Sequence, residues 1–243
     1  MTYVIADIHG CYREYRELLD RIGFSEEDEL YVLGDAMDRG PEPISVIRDL
    51  MGRPNVTYIL GNHDHMMLSV LGKLAVDVTE TSLLELTDEV FASCVHWLQE
   101  GGATTMEQFK RLSREERRDI LDYLECAPCY DMIEWEDELY ILVHAGIQGF
   151  DPMKELEEYE PLDFLWERTD YTRRYFPGDR IFLVTGHTPT QLIGDGQPLV
   201  YKDNGHIAID CGCVFGGNLA AYCIETGSIT YVAKGEGGTD IGA

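Results

Sequence analysis

Two stretches share one design: Tyr3-Val4-Ile5-Ala6-Asp7-Ile8-His9-Gly10, and Leu30-Tyr31-Val32-Leu33-Gly34-Asp35-Ala36-Met37-Asp38-Arg39-Gly40. Each is a short apolar run that breaks into glycine and residues able to bind a cation. Between them, Tyr12 to Ile22 carries apolar residues at Tyr15, Leu18, Leu19 and Ile22, the spacing of one helical face. Pro41 then opens a second helix with Ile44, Ile47 and Leu50 on one side, and Val56 to Leu60 is a third apolar run, ending at Gly61-Asn62. A β-α-β-α-β order predicts neighbouring parallel strands joined by crossover helices. It places each polar motif past the carboxyl end of a strand, where open α/β sheets hold ligands.

From His65 to about Glu125 the pattern becomes helical and acidic, and reads as an insertion of several short helices, about 65–125. Strands return as Tyr130 to Trp135, Leu139 to Val143, Ile181 to Val184, Leu199 to Tyr201, Ile207 to Ile209, Ala220 to Ile224 and Ile229 to Val232. Asp203-Asn204-Gly205 and Glu225-Thr226-Gly227-Ser228 are hairpin turn signals, so the second half reads mostly as a meander. The Gly-rich tail, Gly235 to Ala243, is expected to fray. With no internal repeat or low-complexity linker, the 243 residues read as one domain, 1–243. Periodicity by itself supports a mixed α/β fold.

The chain carries 19 Lys and Arg against 45 Asp and Glu, a net charge of -26. Such a field repels duplex nucleic acid and anionic membrane surfaces, which argues against a nuclease and against membrane binding. It also repels phosphates at long range, so a phosphate site here needs concentrated positive charge such as divalent metals. No apolar run reaches the roughly 18 residues of a membrane span, and the N-terminus lacks the basic and apolar regions of a secretion signal. Seven cysteines, an odd number without such a signal, suggest reduced thiols and a cytoplasmic location. Cys126-Ala127-Pro128-Cys129 and Cys211-Gly212-Cys213 would make a zinc site only if the pairs met in space; ordinary small buried residues are the simpler reading. Neither a Cys-x5-Arg loop nor a Gly-x4-Gly-Lys-Ser/Thr loop occurs.

Five motifs follow apolar strands in order: Asp7-Ile8-His9-Gly10, Gly34-Asp35-Ala36-Met37-Asp38-Arg39-Gly40, Gly61-Asn62-His63-Asp64, His144-Ala145-Gly146 and Gly186-His187-Thr188-Pro189. Singly, each has a plain explanation as a turn, a helix cap, a satisfied strand-end histidine or half of an ion pair. Together they supply what a two-metal site needs. Two divalent ions about 4 Å apart share one hydroxide and clamp the attacking and leaving oxygens, with one carboxylate bridging. Carboxylate, imidazole and amide oxygen suit manganese, iron or zinc. Asp7 and His9, two apart, are expected to point to one side of an extended segment. Nearby glycines let the backbone turn and the phosphate approach.

These motifs resemble the phosphoprotein phosphatases of the metallophosphoesterase superfamily, whose pattern runs Gly-Asp-x-His-Gly, Gly-Asp-x-x-Asp-Arg-Gly, Gly-Asn-His-Glu, His-Gly-Gly and a later lone His. The resemblance covers Asp7 to His187, weakly onward to Gly217. It looks closest to the small bacterial and phage lambda-type Ser/Thr phosphatases, and the chain is also similar to symmetrical diadenosine tetraphosphatases, which usually lack the Asp38-Arg39 pair. Ala6, Ala36-Met37, Asp64 and Ala145 depart from the pattern, and Asp64 is one methylene shorter than the usual Glu.

The resemblance implies a β-sandwich of two mixed sheets flanked by helices, a four-layer α/β/β/α arrangement. It implies two divalent ions, manganese first and iron or zinc as alternatives. Asp7 and His9 would bind the first, Asp35 would bridge, and Asn62, His144 and His187 would bind the second. His63 would protonate the leaving oxygen with Asp38 orienting its ring, and Arg39 and Asn62 would contact the substrate phosphate. Leu165-Trp166-Glu167-Arg168 resembles the family's Trp-x-Arg segment and makes Arg168 the second arginine, with Arg173 and Arg174 as competitors. Asp210 is a supporting candidate; His65, His96 and His206 receive no role. The expected substrate is phosphoserine or phosphothreonine in a protein or a small phosphoester. The alternatives are dinucleoside polyphosphate hydrolysis and a non-catalytic metal-binding module.

Overall fold

A computed structural model describes residues 1–74 and 87–235. Among these residues ten strands form two five-stranded sheets. The first contains β1 (Thr2–Ile5), β2 (Glu29–Leu33), β3 (Val56–Ile59), β9 (Asn218–Cys223) and β10 (Ile229–Ala233), in the order β10-β9-β1-β2-β3. The second contains β4 (Tyr130–Trp135), β5 (Glu138–Val143), β6 (Ile181–Thr185), β7 (Tyr201–Asp203) and β8 (His206–Ala208), in the order β4-β5-β6-β8-β7.

β1, β2 and β3 are parallel, as the sequence rhythm requires, and cross over through α1 (Tyr12–Ile22) and α2 (Pro43–Met51). α2 starts at Pro43 rather than Pro41. The Glu42 amide donates to the Gly10 carbonyl and the Pro41 carbonyl accepts from Gln108, which holds both residues out of the helix. The meander expectation fails in the second sheet, where β5, β6 and β8 run parallel. Their crossovers pass through 144–180 and 186–205, which lack helical periodicity and so carry no sign of a crossover. The Asp203-Asn204-Gly205 hairpin forms between β7 and β8, with Asn204 and Gly205 both at positive φ.

Alternate strand residues face two different cores. Val4, Ala6, Leu33 and Ile59 meet Tyr140, Leu142, Val184 and Ile207 of the other sheet. Ile5, Val32 and Tyr58 point outward, under Leu18 of α1, Ile47 and Leu50 of α2, and Met67 and Val70 of α3 (Asn62–Leu74). Burial on both faces explains why these strands read as unbroken apolar runs. The outer face of the second sheet is covered by Ile147, Leu156, Tyr159, Phe164 and Tyr175, with single helical turns at Leu156–Glu158 and Pro161–Phe164.

The described part of the 65–125 insertion is helical: the rest of α3, then α4 (Asp88–Trp97), α5 (Ala103–Phe109) and α6 (Arg114–Glu125). Its residues 75–86, and the tail expected to fray beyond 235, lie outside the described residues. A wide turn, Leu98–Gly102, links α4 to α5, and its Gly101 carbonyl accepts the Arg39 amide at 2.9 Å, docking the insertion onto the second motif. Among the described residues no helix is long and apolar enough to cross a membrane.

The loops after β2 and β3 touch backbone to backbone. A Cβ on Gly61 would lie 2.2 Å from the Asp35 Oδ1 and 2.5 Å from its amide nitrogen. Gly61→Ala is therefore expected to destabilise the fold by about 1–3 kcal/mol. Scanning calorimetry should show a melting point several degrees lower; an unchanged one would mean that these loops are not packed as described.

Candidate metal centre

Among the described residues, eight that are not glycine have positive φ, and six of them are Asp7, His9, Asp35, Asp38, Arg39 and His187. Such conformations cost about 1–3 kcal/mol each and persist only where surrounding contacts enforce them. The expectation that Asp7 and His9 share a side of an extended segment is thus corrected: left-handed turns after β1 bring them to one place. Those turns are held by the second motif, whose Asp35 and Ala36 carbonyls accept the His9 and Gly10 amides at 2.9 Å.

Asp35 lies at the centre. Its Oδ2 is 3.5 Å from the His9 Nε2 on one side and 3.6 Å from the His144 Nε2 on the other. Two groups of ligand-type atoms, His9–Asp35–His63 and Asp7–Asp35–His144, each lie within 4.8 Å of one another and share this residue. Asn62 joins the second group: its Oδ1 is 2.8 Å from the His144 Nε2 and 3.0 Å from the His187 Nδ1. The His187 amide donates to the Asp7 Oδ2 at 2.9 Å, tying the last motif to the first. All six residues assigned to metal by sequence therefore converge.

The hydrogen bonds fix which imidazole nitrogens are bare. His144 donates from Nδ1 to the Leu33 carbonyl at 2.7 Å, so the neutral ring turns a lone pair toward the Asn62 and Asp35 oxygens. Acceptors facing acceptors in a buried place call for a cation. His9 donates from Nδ1 to the Met37 carbonyl at 2.7 Å, and its bare Nε2 takes a hydrogen bond from the Arg39 Nη1 at 2.7 Å. The donor set fits two divalent ions sharing Asp35.

His63, at the start of α3, donates from Nδ1 to the Asp38 Oδ2 at 2.9 Å. Asp38 also accepts from the Trp97 indole at 2.7 Å and the Thr105 hydroxyl at 2.6 Å. Both donors come from the helical insertion, and neither carried a motif that could have found them. A cavity of about 630 Å³ opens beside Asp35, Asn62 and His63, and both Arg39 and Arg168 line it. Arg173 and Arg174 lie elsewhere: Arg173 packs over Tyr175, and Arg174 donates to the Gly178 carbonyl. His96, given no role from sequence, lines the cavity with Glu100 from the turn after α4. Trp166, Leu192 and Phe215 form an exposed apolar rim, and the Arg39 guanidinium sits 5.3 Å from the Phe215 ring centre. His206 is a buried histidine whose Nε2 bonds the Arg173 carbonyl, away from this place.

The sequence model of calcineurin-like phosphoesterases matches residues 2–233. The chain is 31% identical to the asymmetrical bis(5′-nucleosyl)-tetraphosphatase PrpE of Bacillus subtilis, over 94% of each protein. It is 27% identical to the symmetrical bis(5′-nucleosyl)-tetraphosphatase of Erwinia tasmaniensis, over 90% of this chain and 92% of that one. Among solved structures, a candidate diadenosine tetraphosphatase superposes with a TM-score of 0.66 at 21% identity, covering 97% of this chain and 94% of that one. A protein serine/threonine phosphatase of Saccharomyces cerevisiae gives a TM-score of 0.56 at 12% identity, covering 96% and 78%. At such identities the last two show likeness of fold.

Charge is crowded here. Burial, then the neighbouring Asp210 and Asp35, hold the Asp7 carboxyl well above its usual range. Burial would raise Asp35 as well, but the surrounding His144, His63, His9 and His187 lower it instead. Burial lowers His9 and His144, and lowers His187 to about 3. His63 goes the other way: burial opposes its charge, yet Asp35 and the Asp38 hydrogen bond raise it. Asp210 is pushed to about 7, chiefly by burial and then by Asp35, against the Gly212 amide bond that lowers it. A group raised in the folded state contributes stability that is full below its unfolded pKa and lost as pH rises through the folded value. Asp210 thus lowers the melting temperature of the metal-free protein at pH 8 relative to pH 5, while the lowered His9, His144 and His187 act the other way, and Asp210→Asn should remove its share of that difference. Melts in chelator across this range would check it, and an undiminished difference in the variant would remove Asp210 as its source.

Proposed function

The chain belongs to the calcineurin-like phosphoesterase family and is a metallophosphoesterase, and from that premise we propose that it hydrolyses dinucleoside polyphosphates such as diadenosine tetraphosphate. One observation carries this reading: the cavity sets the metal-ligand cluster beside two arginines and an exposed rim of Trp166, Leu192 and Phe215. A polyphosphate chain suits the cations, and purine faces suit an aromatic rim. Curated relatives named for nucleosyl-tetraphosphatase activity, matched over nearly their whole length, support it. They reverse the order of the sequence expectation, which put protein phosphoserine and phosphothreonine first. That remains the second reading, favoured by the Asp38-Arg39 motif.

In this proposal Asp7 and His9 would hold one ion, Asp35 would be shared, and Asn62, His144 and His187 would hold the other. Manganese suits the carboxylate and amide oxygens, with iron or zinc, which suit the imidazoles, as alternatives. When bound, the ions supply a nucleophilic water of lowered pKa and neutralise phosphate charge. Asp38 accepts a hydrogen bond from the His63 Nδ1–H and so favours the imidazolium, whose Nε2–H is the proton given to the departing oxygen. Arg39 releases the His9 nitrogen and turns its fork to phosphate oxygens, while its backbone stays anchored on Gly101. Arg168 and the Asn62 amide contribute further phosphate contacts. Trp97 and Thr105 hold the Asp38 carboxylate in place by donating to it.

Metal-stripped protein given Mn²⁺ should cleave diadenosine tetraphosphate in preference to a phosphothreonine peptide. The product mixture, ADP alone or ATP with AMP, identifies the phosphorus attacked. Preference for the peptide would overturn the substrate and leave the site standing. His63→Asn should lower kcat by about 10²–10⁴-fold, and an unimpaired variant would remove His63 as the acid. Trp166→Ala should raise KM for the dinucleotide and leave that for p-nitrophenyl phosphate unchanged; an equal rise in both would end its role as a base platform.

A further inference from the structure

We infer that Tyr58 and Asp64 act together as positioning residues for the metal centre, clamping the backbone of the two loops that carry Asp35 and Asn62. The inference rests on the reading of Asp35 as the shared metal ligand. Asp64 lies in the first turn of α3 and is 0% exposed. Its Oδ2 accepts three hydrogen bonds: from the Tyr58 hydroxyl at 2.7 Å, the Gly61 amide at 2.9 Å and the Asp35 amide at 3.0 Å. The Tyr58 hydroxyl in turn accepts the Ala36 amide at 3.0 Å. Two side chains thus take the amides of Asp35, Ala36 and Gly61, the residues from which the bridging carboxylate and its supporting loop are hung.

The position of these bonds argues for function. Asp35 has a φ of 53°, a conformation that needs outside restraint. Its carbonyl and that of Ala36 hold the His9 and Gly10 amides, so the grip passes from Asp64 through the second motif into the first. The shorter acid at 64 reaches the two nearest amides, and the tyrosine hydroxyl extends the reach to Ala36. The pair is also a costly one for a core. The Asp64 Oδ1 has no partner among the described residues, and a buried carboxyl oxygen left unsatisfied costs the fold stability. Tyr123 of α6 supplies an internal control. Its ring lies 5.7 Å from that of Tyr58, and its buried hydroxyl has no partner among the described residues.

The test measures Mn²⁺ binding to the metal-stripped full chain by calorimetry, with melting points alongside, so it does not depend on which phosphoester is the substrate. Tyr58→Phe removes one hydroxyl and should weaken Mn²⁺ binding by about 10–100-fold, and Asp64→Asn should do so in the same direction. Tyr123→Phe should bind as the parent does. At saturating Mn²⁺, Tyr58→Phe should lower kcat for p-nitrophenyl phosphate with KM within about twofold. If Tyr58→Phe melts lower but binds Mn²⁺ like the parent, or if Tyr123→Phe weakens binding equally, the pair is packing and the inference is overturned. If the parent chain itself takes up no metal, the site reading falls and carries this one with it.

Discussion

Everything in the centre of this molecule follows from the burial of Asp35 between two imidazoles. Asp35, Asp7 and Asp210 are buried close together, and desolvation, then repulsion between carboxylates, pushes two of them, Asp7 and Asp210, toward the neutral form. The third goes the other way, lowered against its burial by the histidines around it. A protein of net charge -26 has little long-range attraction for phosphate, so the affinity must be generated locally. Divalent ions held here would supply the positive charge that this acidic place lacks. The same crowding that raises Asp7 and Asp210 suits the place to cations.

The sandwich exists in a form that makes this crowding possible. The first sheet contributes Asp7, Asp35 and Asn62 from the ends of three adjacent parallel strands, and the second contributes His144 and His187 from the ends of β5 and β6. Hydrogen bonds sew the halves together, from His144 to the Leu33 carbonyl and from the His187 amide to Asp7. The inter-sheet core of Val4, Ala6, Leu33, Leu142 and Val184 lies directly behind, so a rigid apolar layer backs a strained polar one.

The first sheet was legible because its strands, buried on both faces, read as uninterrupted apolar runs that stop at the ligand residues. The candidate ligand residues were legible for the same reason: each is local to a strand end. What escaped was non-local. Trp97 and Thr105 reach Asp38 from about sixty residues away, out of a helical stretch whose pattern names no target. His96 and Glu100 enter the cavity from the same stretch. Tyr58 looked like one more apolar strand residue, although its hydroxyl is what matters. The parallel order of β5, β6 and β8 was hidden because their crossovers are irregular chain, and the common placement of Asp7 and His9 comes from left-handed turns that alternation does not describe.

The bond between Trp97 and Asp38 has an optical consequence. The chain has three tryptophans; Trp135 and Trp166 are about two-fifths exposed, whereas Trp97 is sealed from solvent with its indole N–H on the carboxylate that partners His63. Its emission belongs to the blue edge of the spectrum, apart from that of the two wetter chromophores. An indole dipole held against a charge responds to every change in the local field. Proton movement on His63, or the arrival of a cation beside it, therefore writes itself into the colour of one buried ring, and the molecule carries its own internal voltmeter.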